Sequence, residues 1–420
     1  MFAWLLLVSC VSLENGLAGP PGGEDASGPV DDGVEGIPGR EVSERRDGPA
    51  TPEDATLPPE DEDPDAEALY AEGTIHEFHL SIPDEGRAAL ALAPKEWVAG
   101  QFRAGRTTYD VAIRLKGTTT YRPLSGKAAF KIDFAEYDPE QRFHGRKRLT
   151  LNSMLQDSSM LHEHVSYWLY RHRGVPAPRH SFARVWVDGE YYGLYGVVET
   201  MDEQFLKRNF PDDDDGNLFE ANLVDFVPGQ AGGFEIEESP DLADPHAGLR
   251  AVIDDIAAAP PDRFFEALSR HFDVDVLLRM WAIDLASGNV DGYTRLRNNY
   301  MVYQAVNSGR WYITPWGHDQ AMQWHRDVAS YRELSGHLVQ RCGEDPACAS
   351  ALTAAIEDLV VDWESGELAV LVSDVTSLVA PDCRADPRAE YGCDIGHVLP
   401  FVLERPASIR ESLAEAAVED

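Results

Sequence analysis

The sequence predicts an α+β fold of two lobes, a strand-rich N-terminal lobe and a helix-rich C-terminal lobe with an embedded β-hairpin. Three observations predict it. β-rich runs crowd between residues 74 and 199, apolar residues at helical spacing dominate afterwards, and one turn-linked pair of β-rich runs interrupts that second half.

Taken in order, residues 11–70 are Gly, Pro, Asp and Glu with few large apolar side chains, so burial cannot offset chain entropy and a disordered linker is expected. Its 17 acidic side chains against three arginines should extend it by self-repulsion. Strands are expected at 75–82, at 109–116 with apolar alternation, at 128–134 and at 149–151, forming a small antiparallel sheet. A helix follows, with Asp157 or Ser158 as N-cap, a stripe of Leu161, Val165, Trp168 and Leu169, and Gly174 as its stop. The runs 182–187 and 191–198 flank Asp188-Gly189, which supplies a left-handed hairpin turn. Helices are expected near 203–209, 247–258, 261–287 and 350–375, and a second hairpin joins 299–304 to 310–315 across Asn307-Ser308-Gly309. The organisation is therefore 1–10 export signal, 11–70 linker, 71–199 strand-rich lobe, 200–340 helix-rich lobe and 341–420 helical extension.

At 420 residues and 43% apolar content the chain can bury a large core. A formal charge of -37 argues against nucleic acid, which requires clustered Lys and Arg, and favours a basic partner or a metal. The first ten residues are too short and too few to span a bilayer and read as the apolar end of a secretory signal. Leu7-Val8-Ser9-Cys10 resembles a bacterial lipobox, in which Cys10 carries the lipid; a basic n-region is missing, and a plain signal peptide is the alternative. The expectation is an exported lipoprotein, held on the membrane by its lipid alone. The four other cysteines suggest two disulfides, most simply Cys342 to Cys348 and Cys383 to Cys393, although four cysteines permit three pairings. Zinc is the alternative, against which the wide Cys spacings speak.

Polar islands lie beside the apolar runs of the second half: Asn289-Val-Asp-Gly-Tyr293, Asn298-Asn299 and Trp316-Gly-His-Asp319. Phosphoryl transfer uses such a set, one Asp to orient the attacking hydroxyl and an Asn with a second Asp to hold the metal on the nucleotide. Plainer readings stand beside this one. Asp291 precedes Gly292 and fits an ordinary turn, His318 is a lone histidine, and the 212–217 acidic run fails the EF-hand spacing and reads as a solvated loop. The 117–120 Gly-Thr-Thr-Thr segment could close over phosphates but lacks a Walker-type pattern, and Glu163 falls on the far side of its helix from Leu161 and Val165.

Several segments occur in the order of the CotH family, named for spore-coat protein H, and the chain resembles that family over about 75–330. They are Lys127-Ala-Ala-Phe-Lys131-Ile-Asp-Phe, Leu149-Thr-Leu-Asn152, Gly174-Val-Pro-Ala-Pro178-Arg, Val187-Asp-Gly-Glu-Tyr-Tyr-Gly-Leu-Tyr195, Val198-Glu199, Gly216-Asn-Leu-Phe219, Asn298-Asn-Tyr and Trp311 to Asp319. The resemblance implies a protein-kinase-like two-lobed fold that uses ATP and Mg²⁺ or Mn²⁺ to phosphorylate Ser or Thr of a secreted or surface protein. It implies Lys127 as the phosphate-binding lysine, Glu163 as its available helix partner, Glu199 at the start of the inter-lobe linker, Asp291 as the catalytic aspartate, and Asn299 and Asp319 as metal ligands. Asn298 is a rival for the metal. The chain departs from the family's Trp-Asp-x-Asp, having Gly317 for the first Asp. The alternative is accordingly a non-catalytic surface, adhesion or coat-assembly module of the same fold.

Overall fold

In the computed structural model, which describes residues 64–419 apart from 118–119, 241–242 and 324–333, the strand-rich half closes on itself as a barrel. The expected signal, Cys10, the linker as far as residue 63 and two threonines of the 117–120 segment lie outside the described residues. Helix α1 (Pro64–Leu69) leads directly into buried Leu69 and Tyr70, so folded chain begins about two turns before the expected boundary at residue 71.

Strand β1 (Ile75–Ser81) is followed by α2 (Asp84–Leu92), β2 (Val98–Ala104), β3 (Thr107–Lys116), β4 (Ala129–Asp133) and β5 (Arg148–Asn152). Helix α3 (His162–His172) precedes the hairpin β6 (His180–Val187) and β7 (Glu190–Val198). The barrel order is β1-β2-β3-β4-β5-β7-β6, and it closes where β1 lies parallel to β6, Ile75 opposite Phe182. The antiparallel sheet expected from sequence is therefore completed by an unforeseen strand, β2, and by one parallel seam. The Asp188-Gly189 turn has both residues at positive φ, as a two-residue hairpin requires. Phe78, Phe102, Phe130, Phe134 and Phe143 fill the barrel, each contributing about 1.5–3 kcal/mol by burial. The alternate residues Arg114, Lys116, Lys131, Arg148 and Asn152 turn to the other face and are half-buried.

The second half comprises α4 (Glu203–Asn209), β8 (Asn217–Ala221), β9 (Glu235–Glu238), α5 (Ala247–Ala258), α6 (Phe264–His271), α7 (Val274–Ala286), the single turn α8 (Tyr293–Leu296), and β10 (Tyr300–Ala305) with β11 (Arg310–Pro315). The expected hairpin is there, and β8 and β9 extend it into a four-stranded sheet of order β11-β10-β8-β9. Asp213 of the acidic run caps the hairpin turn, accepting from Asn307 N at 2.7 Å and Ser308 N at 2.8 Å. The predicted helix 261–287 is broken at Phe272, where Asp273 N-caps α7.

Helices α9 (His337–Glu344), α10 (Pro346–Trp363), α11 (Glu367–Ala385) and α12 (Val398–Glu419) complete the chain. The 341–420 segment is no appendage: Leu352, Ile356, Val372 and Val402 belong to the same core as Trp281 of α7 and Val165 of α3. Buried Arg405 of α12 donates to Ala286 O at 2.7 Å and Leu285 O at 3.2 Å, capping α7 where it runs into the polar islands. Both expected disulfides are formed, Cys342–Cys348 and Cys383–Cys393. Cys383→Ser with Cys393→Ser releases a short loop and is expected to cost roughly 2–3 kcal/mol in urea unfolding of the purified chain. An unchanged midpoint would show the bridge to be dispensable.

Candidate active site

The last turn of α7 places Asp284 entirely out of solvent. Its carboxylate accepts from Asn289 Nδ2 at 2.9 Å, Thr294 N at 3.0 Å and Thr294 Oγ1 at 2.7 Å, folding the 287–294 loop around itself. Gly292 is required there, because a Cβ would come within 2.3 Å of Asp284 Oδ1. The loop so built holds Asp291 half-buried, with Asn298 Nδ2 donating to one of its oxygens at 2.9 Å and Asn299 Nδ2 to the other at 2.8 Å. Burial raises the Asp291 carboxyl above the usual carboxylate range, while the two amides pull it down.

The hairpin ends converge on the same point. Asn299 and Gly317 flank β10 and β11, both at positive φ, and Asn299 Nδ2 also approaches Gly317 O at 3.4 Å. Asp319 follows, its carbonyl bonded to His162 Nδ1 at 2.8 Å. Burial, with Glu163, Asp157 and Asp291 adding negative charge, holds the Asp319 carboxyl well above its usual range, and Lys116 opposes them. Thus Asp291 and Asn299 are hydrogen-bonded directly, and Asp319 lies near enough for the Asp291 charge to act on it. Gly317 is a backbone requirement here: its φ is +59°, and a Cβ would sit 3.0 Å from Asn299 Cγ. Gly317→Asp, which restores Trp-Asp-x-Asp, is expected to lower stability by about 1–3 kcal/mol in equilibrium denaturation without raising activity. A gain in activity would mean that the glycine marks a lost ligand.

The remaining predicted residues are placed differently. Lys127 precedes β4 instead of lying in it, and its buried ammonium pairs with Asp386 at 2.6 Å, beyond the end of α11. Asp386 is itself fixed by Leu194 N at 2.9 Å, on the bulge where Gly193 makes room for its carboxylate. Burial lowers the Lys127 pKa and Asp386 offsets this, so its charge is already committed. The cation acting on both Glu163 and Asp319 is Lys116 at the end of β3, its Nζ 5.7 Å from the Trp316 ring centre. Glu163 is buried, not solvated, because α3 is enclosed on nearly every side; it accepts from Tyr167 OH at 3.1 Å and from Asn152 Nδ2. The Glu199 carboxylate is committed to structure: buried, it is held by Arg208 at 2.6 Å, Arg179 at 2.9 Å and Arg146 at 3.5 Å. His318 lies buried 4.0 Å from Asp284, and burial lowers its pKa to about 4, so it stays neutral and structural.

Asn299 and Asp319 offer the hard oxygen donors that Mg²⁺ or Mn²⁺ takes, and Asp319 sits among carboxylates that outnumber the nearby lysine. The residues therefore fit a divalent ion. Among the described residues no group of three or more His, Cys, Asp or Glu forms a ready cage, so water and phosphate oxygens would complete the coordination, as is usual for Mg²⁺.

A family model described as CotH kinase protein matches residues 113–398. Inner spore coat protein H of Bacillus subtilis (strain 168) is 27% identical over 241 residues, 56% of this chain and 63% of that protein, so the chain spans less than two thirds of that relative. Among solved structures, the Helicobacter pylori proinflammatory kinase CtkA aligns at 10% identity over 78% of this chain and 93% of its own, with a TM-score of 0.30. The golgi casein kinase aligns at 10% identity over 84% and 76%, with a TM-score of 0.34.

Proposed function

The chain belongs to the CotH kinase protein family, and from this premise we propose that it transfers the γ-phosphate of ATP to a Ser or Thr hydroxyl of a protein substrate. The observation that carries the reading is the convergence of Asp291, held by two asparagine amides, with Asn299 and Asp319 at the ends of β10 and β11. Asp291 orients the acceptor hydroxyl. Asn299 and Asp319 hold the metal, and Lys116, whose charge acts on both Glu163 and Asp319, takes the phosphate-neutralising role expected of Lys127. The bound ion would supply charge neutralisation on the phosphates, and the protein's part is positioning and electrostatics. Two disulfides suit an oxidising compartment, which supports an exported protein tethered by lipid at Cys10, and the excess of acidic residues suits a basic substrate.

The test is transfer of labelled γ-phosphate by the full chain, with and without Mg²⁺ or Mn²⁺, onto itself and onto a Ser-rich basic peptide, with Asp291→Ala alongside. Metal-dependent label that the variant loses supports the kinase. Absence of both label and ATP binding would leave a binding module of the same family.

A further inference from the structure

We propose that Tyr167 is a positioning residue that couples the barrel to the metal-binding loop, an inference resting on the assignment of Asn299 and Asp319 just made. Its fully buried hydroxyl donates to Glu163 Oε1 at 3.1 Å and accepts the Gly317 N–H at 2.9 Å. On the barrel side, Glu163 also accepts from Asn152 at the end of β5 and faces the charge of Lys116. On the other side, Gly317 O lies 3.4 Å from Asn299 Nδ2, which donates to Asp291 at 2.8 Å. A continuous hydrogen-bonded path thus runs from β5 through α3 to the loop before Asp319 and on to Asp291; Tyr167 is the link that reaches Gly317, while His162 of the same helix holds Asp319 O at 2.8 Å. Gly317, in a left-handed conformation, has left the β11 ladder, so its N–H needs a partner, and this hydroxyl supplies one.

Tyr170, on the same helix, provides the comparison. It is equally buried and packs edge-on 5.0 Å from the His318 ring, but its hydroxyl has no hydrogen-bond partner among the described residues. Removing that oxygen takes away volume and a buried polar atom without touching the path.

The experiment compares the full wild-type chain with Tyr167→Phe and Tyr170→Phe, using Mn²⁺ titration by electron paramagnetic resonance, hydrogen exchange of the 311–323 segment, and kcat and KM for ATP. Groups that orient metal ligands typically change affinity by about 10–100-fold. Tyr167→Phe is therefore expected to weaken Mn²⁺ binding and lower kcat by about tenfold or more, with KM for ATP within about twofold and faster exchange at Gly317. Tyr170→Phe should leave all four in place. Unchanged Mn²⁺ affinity in Tyr167→Phe, or an equal loss in Tyr170→Phe, overturns the proposal. If the wild type binds Mn²⁺ without transferring phosphate, the kinase reading fails while the titration still decides Tyr167. A wild type that binds no Mn²⁺ overturns both.

Discussion

Asp319→Asn is expected to lower kcat for metal-dependent phosphate transfer by about 10²–10³-fold or more while raising the stability of the metal-free chain by about 1 kcal/mol. The two effects have one cause. Burial first, and then the charges of Glu163, Asp157 and Asp291 against Lys116, disfavour an ionised Asp319 carboxyl when no ion is bound. An amide of the same shape avoids that unfavourable charge but cannot replace a charged oxygen on a divalent ion. Calorimetry in EDTA should show the variant unfolding above the wild type, and addition of Mg²⁺ with ATP should stabilise only the wild type. A variant that is less stable in EDTA and still active would sink the assignment. Surroundings that disfavour an isolated carboxylate at Asp319 favour a cation bound there.

Much of this was readable from the residues. The Asp-Gly turn, the strands β3 and β4, the hairpin of β10 and β11 and both disulfides are local signals, and the structure forms each of them. The errors arose where distant chain decides. Lys127 lies ahead of β4, which starts at Ala129, and turns to Asp386, a partner no local pattern names. Lys116 ends a strand next to Gly117 with no local signal for a phosphate contact, and its neighbours come from distant chain, Trp316 and the charges of Glu163 and Asp319. Glu163 falls opposite Leu161 and Val165 on its helix, but α3 is buried from His162 through Tyr167, so no face of that stretch is solvated. Strand β9, Glu-Ile-Glu-Glu, has too few apolar residues to announce itself, and α12 carries Pro406 within it, against the usual rule.

Glu199 carries the second large effect, on stability. Its carboxylate is fully buried and engages Arg208, Arg179 and Arg146, while Arg179 N also donates to it at 3.0 Å. Burial alone would raise its pKa, but Arg208 first, then Arg179 and Arg146, outweigh that and bring it from 4.5 down to about 2. The folded state thus releases this proton more readily than the unfolded chain does. Its contribution is fully present above about pH 4.5 and is lost as pH falls toward 2, amounting to about 3 kcal/mol across that window. Asp202, the N-cap of α4, runs the other way: burial, joined by Glu199, raises it to about 6, so its term falls as pH rises from about 4 to 6. The acid limb below 4.5 separates Glu199 from Asp202, although other carboxylates held low, Asp213 and Asp345 among them, share it. Glu199→Gln leaves three arginines converging on a neutral amide and is expected to cost about 3–5 kcal/mol at pH 7, with a shallower slope of urea-derived stability between pH 4.5 and 2 than the wild type shows. A variant as stable as the wild type at pH 7 would mean that the arginines find other partners, among them Glu67 of α1, which already pairs with Arg179. Because Arg179 lies just before β6 and Arg208 in α4, this ionic knot joins the barrel to the start of the helical half. Its loss should therefore loosen the two halves before it unfolds either, and hydrogen exchange in α4 should rise ahead of exchange in β7.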